Sequence, residues 1–243
     1  MRRLVALAPL LLPLACAGLG PWSRASAKPE FPSPRTEADL DARLRFLEER
    51  LDAGRLHALA WYWGWLAIDG FSGVSQIQDA AQARQTGDRD RDIVNAVKTT
   101  VGIADLVVIR PMPGRRGAEP IRAKPDGTHA EKLARLALGE EILRATAVRA
   151  DSRFSWQVHV GNLLFNLAGS AVLLGLGHGQ AAGVTLATGV VGGEVQIWTE
   201  PWRGSRDLSD YEHLVESGHA SAPDPRPWRL APARDGIALE MRF

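Results

Sequence analysis

Cysteine is almost missing from this sequence: in 243 residues Cys16 is the single one. One thiol excludes a disulfide framework, and removal of a leader containing it would leave no thiol nucleophile either. The six histidines (His57, His129, His159, His178, His213, His219) are equally unpromising for a metal. None pairs with another at i+4, and the His-Glu-x-x-His pattern of zinc hydrolases is absent. There is no Walker loop and no calcium loop, and Gly70-Phe71-Ser72-Gly73 lacks the spacing of a nucleophile elbow. No catalytic residue, metal site or cofactor is expected on these grounds. Net charge is missing too, with 29 Lys and Arg against 28 Asp and Glu, so nothing points to nucleic acid. The most telling absence is local: from Trp156 to Gly193 the chain carries no Asp, Glu, Lys or Arg.

That uncharged stretch is crowded with Gly, Ala, Val and Leu, and Gly177-His178-Gly179-Gln180 divides it into two apolar runs. The runs, 156–177 and 181–199, are expected to form a tight antiparallel helical hairpin of near-membrane-spanning length. Ala181, Thr185, Gly189 and Gly193 recur at i+4 and line one face of the second helix with small residues, which lets helix backbones approach closely in lipid. Asn162, Asn166 and Ser170 share a face of the first helix, a polar stripe expected to turn inward. A different reading of the same residues makes 171–176 a buried strand, Gly177-x-Gly179-x-x-Ala182 a phosphate loop and Glu200 the ribose-binding acid. That would be a dinucleotide-binding unit over 171–200.

Elsewhere the chain alternates between apolar segments and charged connectors, which its mean hydropathy of -0.12 conceals. Met1-Arg2-Arg3, an apolar run from Leu4 to Ala15 and Ala25-Ser26-Ala27 read as a signal peptide over 1–27. Cleavage after Ala17, or lipidation at Cys16, are competing outcomes. Residues 28–35 read as a Pro- and Ser-rich linker. Leu40, Leu44, Leu47 and Leu51 predict an amphipathic helix over 36–53 that Gly54 ends. Apolar segments follow at 56–78, with Trp61-Tyr62-Trp63-Gly64-Trp65, and at 92–110, ending at Pro111. Asp69 lies near the middle of the first. Lys98, Gly102 and Asp105 lie on one polar stripe of the second. In a bilayer Lys98 and Asp105 would each cost roughly 3 kcal/mol facing lipid, so they are expected to face Asp69, the Asn162 stripe or water. Thr128 and Glu131 predict a capping box opening a helix over 128–150, either surface-lying or packed on the bundle. The tail, 201–243, is expected to be polar and irregular with a helical patch near 211–215, and to end in a strand paired back onto 228–231.

The expected fold is therefore mainly α: a bundle over 36–200 with about four apolar, transmembrane helices, plus a short C-terminal β-hairpin. Its buried polar cluster would be Asp69, Lys98, Asp105, Asn162, Asn166 and Glu194. Eight Trp, several at segment ends (Trp156, Trp198, Trp202), suit a membrane interface. A cleaved signal with four spans places Arg84, Arg89 and Arg91 inside and the more basic 110–155 region outside, against the positive-inside preference. The Trp-Tyr-Trp-Gly-Trp run, the helix carrying Lys98 and Gly102, and Gly193-Glu-Val-Gln-Ile-Trp-Thr-Glu-Pro201 resemble uncharacterised exported bacterial proteins with several apolar helices. That resemblance spans about residues 56–201 and implies a cell-envelope location, in the inner membrane after export, without implying an activity. Expected partners are the lipid bilayer and another membrane protein or a second copy. Two functions are open: a non-enzymatic scaffold or partner-binding component, and a transporter-like or enzymatic protein whose polar groups line a path.

Overall fold

The computed structural model describes residues 31–217 and the strand segments 228–233 and 236–241. The signal-peptide reading, over 1–27, lies outside the described residues. The chain is mainly helical, built from α1 (Glu37–Gln82), α2 (Thr86–Ala104), α3 (His129–Ser152), α4 (Trp156–Gly175), α5 (Gly179–Thr199) and α6 (Arg203–Ser217). Single helical turns at Pro113–Arg116 and Glu119–Arg122 join α2 to α3. Strands β1 (Trp228–Ala233) and β2 (Gly236–Met241) pair antiparallel, with Trp228 opposite Met241 and Ala233 opposite Gly236.

Helix α1 is the frame. Its 46 residues extend about 69 Å at helical rise. Thr36 caps it by accepting the Asp39 N–H at 3.1 Å, with Glu37 and Asp39 in the first turn where the helix dipole favours acid. The expected break at Gly54 does not occur. A lone glycine costs a helix about 1 kcal/mol, no proline interrupts 35–110, and packing on both sides of Gly54 outweighs that cost. The amphipathic and apolar segments are thus one rod serving two differently built halves.

The first half of α1, α3 and α6 form a three-helix body with an ordinary apolar core. Leu40, Leu44, Leu47 and Leu51 meet Leu136 and Leu143 of α3 and Leu208, Tyr211 and Leu214 of α6. The capping box is present: Thr128 and Glu131 satisfy each other's backbone N–H groups at the start of α3. The tail reading needs correction here. Residues 203–217 are a full helix, because Leu208, Tyr211, Leu214 and Val215 make one apolar face that the body buries. Gly204 lets α6 touch α3 backbone to backbone: a Cβ there would lie 2.6 Å from the Thr146 carbonyl. Within the expected linker, Phe31 packs edge-on against Tyr211, and the Pro32 carbonyl accepts from the buried Arg43 at 2.7 Å.

The second half of α1, α2, α4 and α5 form a four-helix part of opposite character. Large apolar side chains point outward: Ile68, Phe71 and Val74 of α1, Val97 of α2, Leu163, Leu164 and Leu167 of α4, and Val184, Val191 and Val195 of α5. Asn166, Ser170 and Thr185 are buried instead. Of the four expected spans, one helix among the described residues, Trp156–Gly175, is long and apolar enough by length and composition to cross a membrane. The others fall short because Trp61, Tyr62, Trp63, Gly64 and Trp65 together with Asp69 dilute the apolar stretch of α1, Arg91, Asp92 and Lys98 punctuate α2, and α5 is built from Gly, Ala and Thr with Glu194 near its end.

Candidate functional site

The polar interior of the four-helix part is the site that the fold assembles. Helices α4 and α5 run antiparallel, joined by a turn in which Gly177 adopts φ +85°, the left-handed region that only glycine enters without strain. This helix-turn-helix corrects the dinucleotide reading. Residues 171–175 are helical, no strand precedes the turn, and the would-be ribose acid Glu200 is instead ion-paired with Arg149. Glu200 is buried, and its own carbonyl also accepts from Arg153 Nη1 at 2.8 Å.

Small residues on α5 set the depth of the contact. A Cβ on Gly193 would lie 2.1 Å from Asn162 Oδ1, and one on Gly189 would lie 1.9 Å from Asn166 Oδ1. The two stripes read from the sequence therefore face each other, with amide side chains seated on glycines. Asn162 Nδ2 donates to the Val190 carbonyl at 3.0 Å and to Glu194 Oε1 at 2.9 Å. Asn166 Nδ2 donates to Asn162 O and Oδ1, both at 2.9 Å. One level further along, Ser170 Oγ donates to the Ala182 carbonyl at 3.0 Å. Thr185 is 1% exposed, and its hydroxyl has no hydrogen-bond partner among the described residues. Ala181 packs beside Val94, Leu173 and Ala182, a small apolar cluster that closes this end of the polar line.

Lys98 enters from α2. A Cβ on Gly169 would lie 2.8 Å from its Cδ, and one on Gly189 would lie 2.8 Å from its Nζ, so the side chain threads between α4 and α5 to reach Asn166. Asp69 stands elsewhere, 3.9 Å from where a Gly102 Cβ would be. No ion pair within 4.0 Å joins Asp69 and Lys98 to each other or to another described residue. Asp105 leaves the cluster altogether. The last turn of α2 widens into a π-helix, Asp105–Ile109, which brings Arg110, five residues on, back over Asp105. Its carboxylate takes the Arg110 guanidinium, Nε to Oδ1 at 2.8 Å. So Lys98, Asn162, Asn166 and Glu194 converge, Asp69 lies one helical turn away along α2, and Asp105 pairs with Arg110 instead.

Several partners were missed in the sequence. His159 Nδ1 lies 2.7 Å from Glu194 Oε2, and the His159 ring lies beside Trp198 at 5.7 Å between centroids. His178 Nε2 lies 3.2 Å from Asp90 Oδ2, tying the α4–α5 turn to the start of α2. His159 is at i−3 to Asn162 and Glu194 adjoins Gly193, so folding the hairpin about Gly177 would have brought them together. The His178–Asp90 pair joins separate hairpins and leaves no local signal.

At the opposite end the four-helix part meets the three-helix body through aromatic and arginine side chains. Trp61 Nε1 donates to the Gln196 carbonyl at 3.2 Å, Trp65 Nε1 to Thr199 Oγ1 at 3.3 Å, and Arg149 lies over the Trp61 ring at 5.5 Å. A cavity of about 30 Å³ at this junction is lined by Arg50, His57, Arg149, Arg203 and Asp207 among others, large enough for roughly one or two waters. Burial pushes the Asp207 carboxyl above its ordinary value, against the lowering effect of Arg203, Arg50 and Arg206. Among the described residues no group of three or more His, Cys, Asp or Glu could hold a metal. In comparison with known proteins, no family model, curated protein or solved structure matches the chain.

Proposed function

We propose that this chain is a helical membrane protein of the bacterial cell envelope, acting as a non-enzymatic scaffold or partner-binding subunit. In this reading the four-helix part lies in the bilayer and the three-helix body stands at one face. The observation that carries it is the inverted distribution of side chains, with Phe71 77% exposed on α1 and Asn166 3% exposed on α4, two helices that both pack on α2. In water that arrangement exposes an apolar surface of the kind that marks a membrane or protein contact. In lipid it is the stable one, because polar groups find partners inside and packing of small residues holds the helices. The ring of Trp61, Trp63, Trp65, Trp156 and Trp198 at one end, backed by Arg149 and Arg153, suits the headgroup level.

With α1 descending, α2 returning, α4 descending and α5 returning, the body, the 110–155 connection and α6 all share one side. The short turns at 83–85 and 176–178 lie on the other. Interior amides that seat on glycines fix the register of the helices, which is what a scaffold needs. A transporter-like role is the second reading, favoured by Lys98 and Asp69, two ionisable groups that no described partner neutralises. Carbonate extraction and vesicle flotation of the full chain test the first statement: it requires retention in the membrane pellet and flotation with lipid, and release into the wash rejects it. Lys98→Ala and Asp69→Asn then separate the two roles, since a register role lowers folded yield whereas a transport role spares yield and removes flux.

A further inference from the structure

His159, at the start of α4, and Trp198, at the end of α5, make an exposed aromatic corner beside the three-helix body. Their ring centroids lie 5.7 Å apart, and Phe154 meets the Trp198 ring edge-on at 6.2 Å. Trp198 is 57% exposed, and Phe154 is exposed with it. The row is polarised. Arg153 holds its guanidinium over Phe154, 4.4 Å from the ring centroid, at one end. At the other, the Glu194 carboxylate lies 2.7 Å from His159 Nδ1. A carboxylate only accepts, so the proton in that contact belongs to Nδ1, and the neutral ring keeps its lone pair on Nε2. The His159 side chain is 29% exposed, and Nε2 stands unenclosed with no partner among the described residues. Such a nitrogen wants a donor. With Glu194 behind the ring and the face of Trp198 alongside, the donor that suits it best is a cation. An anion next to that cation would fall toward Arg153. A primary ammonium linked to a phosphate meets all of these demands. A trimethylammonium has no N–H for Nε2, and a glycerol headgroup has no cation for Trp198.

We infer that this corner binds the ethanolamine headgroup of a phospholipid, with the ammonium between His159 Nε2 and the Trp198 ring and the phosphate toward Arg153. This rests on the bilayer placement proposed above, which sets Trp156 and Trp198 at headgroup level. Occupied, the corner ties the α4–α5 hairpin to the lipid surface where it meets the three-helix body.

The test reconstitutes the full chain in vesicles of equal parts phosphatidylethanolamine, phosphatidylcholine and phosphatidylglycerol with identical acyl chains. The protein is recovered in mild detergent and its retained lipids are counted by mass spectrometry. The ethanolamine lipid is expected to be retained about tenfold over each of the others, the value of one hydrogen bond from a charged donor. His159→Asn can still donate to Glu194 but has no acceptor where Nε2 stood, and should retain ethanolamine and choline lipids equally. Trp198→Leu should lower retention of both. Equal retention by the wild type, preference for choline or glycerol, or an ethanolamine preference that His159→Asn keeps, overturns the proposal. Should His159→Asn not fold, wild-type chain offered the mono-, di- and trimethylated ethanolamine lipids decides. Retention that falls as methyl groups replace N–H supports the site, and retention that does not change overturns it. Flotation of the same vesicles is read separately. A chain that does not float loses the bilayer placement, whereas one that floats without headgroup preference loses this site alone.

Discussion

Gly193→Ala tests the α4–α5 contact where its geometry is sharpest. The new methyl would fall 2.1 Å from Asn162 Oδ1, 2.6 Å from Cγ and 2.8 Å from Nδ2, so its three nearest neighbours all belong to one short amide. Asn162 must swing away, giving up its bonds to the Val190 carbonyl and Glu194. At about 0.6 kcal/mol for an average interhelical bond in a bilayer and up to about 2 for one to a charged carboxylate, the loss is about 1–3 kcal/mol. Alanine returns about 1 kcal/mol of helix propensity, leaving the single variant destabilised by up to about 2. Asn162→Ala by itself loses the same bonds. On that background, however, the added methyl meets no amide, and only the propensity gain remains. Gly193→Ala should therefore destabilise the wild type and stabilise Asn162→Ala by about 1 kcal/mol. Equilibrium unfolding in mixed micelles, followed by tryptophan emission from Trp156 and Trp198 at the ends of the hairpin, reads all four proteins. The same sign on both backgrounds would refute the seating of Asn162 on Gly193.

Four further outcomes are expected. Gly204→Ala drives a methyl into the Thr146–Ala147 backbone, which cannot rotate away, and should cost about 1–3 kcal/mol or detach α6. Gly64→Ala, with nothing within 4 Å, should stabilise by up to about 1 kcal/mol, and both are read by thermal melts. Phe71→Arg, on the outward face, should abolish flotation and lower yield, since an arginine facing mid-bilayer costs about 3 kcal/mol or more. In a water-bathed bundle the change would stay within about 0.5 kcal/mol, and unchanged flotation would contradict the bilayer placement. For the three-helix body, burial raises the Asp52 carboxyl but the Ala118 N–H and the Arg122 guanidinium outweigh it, so its folded value lies below 3.8. Its contribution is present above that value and disappears as pH falls through the lower folded one. Asp207 has the opposite sign, a raised value whose penalty grows as pH rises past 3.8. Asp52→Asn should flatten the acid-side loss in a pH series of melts, and Asp207→Asn should not.

The parts of this fold that were legible in the sequence are those governed by spacing within one helix or across one tight turn. The capping box at Thr128 and Glu131, the Gly177 turn, and the facing of Gly189 and Gly193 by Asn166 and Asn162 all follow from local periodicity. Gly54 misled because a glycine's meaning in a helix depends on what packs beside it, and that packing comes from residues about 80 and 150 positions later. Asp105 misled because its partner, Arg110, stands five residues on across a π turn, a spacing that i+3 and i+4 periodicity does not consider. Helix α6 was under-read because its apolar face is short and its charged residues dominate composition, although Leu208, Tyr211, Leu214 and Val215 sit at the right intervals.

Composition and tertiary arrangement also answer different questions about the membrane. Taken one at a time, α4 is the one described helix apolar enough to cross, because averaging over all faces penalises α1 for Asp69 and its Trp-Tyr-Trp-Gly-Trp run, and α2 for its charged residues, Lys98 among them. Assembly changes which faces matter. Once Asp69 turns to Gly102, and Lys98 to Gly169 and Gly189, the surfaces left outside on those helices are Ile68, Phe71, Val74 and Val97. A helix too polar to enter lipid alone becomes acceptable when neighbours cover its charged face. Under the bilayer placement proposed above, that dependence predicts an order of assembly, with α4–α5 inserting first and α1–α2 stable only against it. Deleting the Gly189 cradle with Gly189→Leu should accordingly release α1–α2 to proteolysis while leaving α4–α5 protected in vesicles. Equal protection of both hairpins would show that α1–α2 needs no partner to stay in the bilayer.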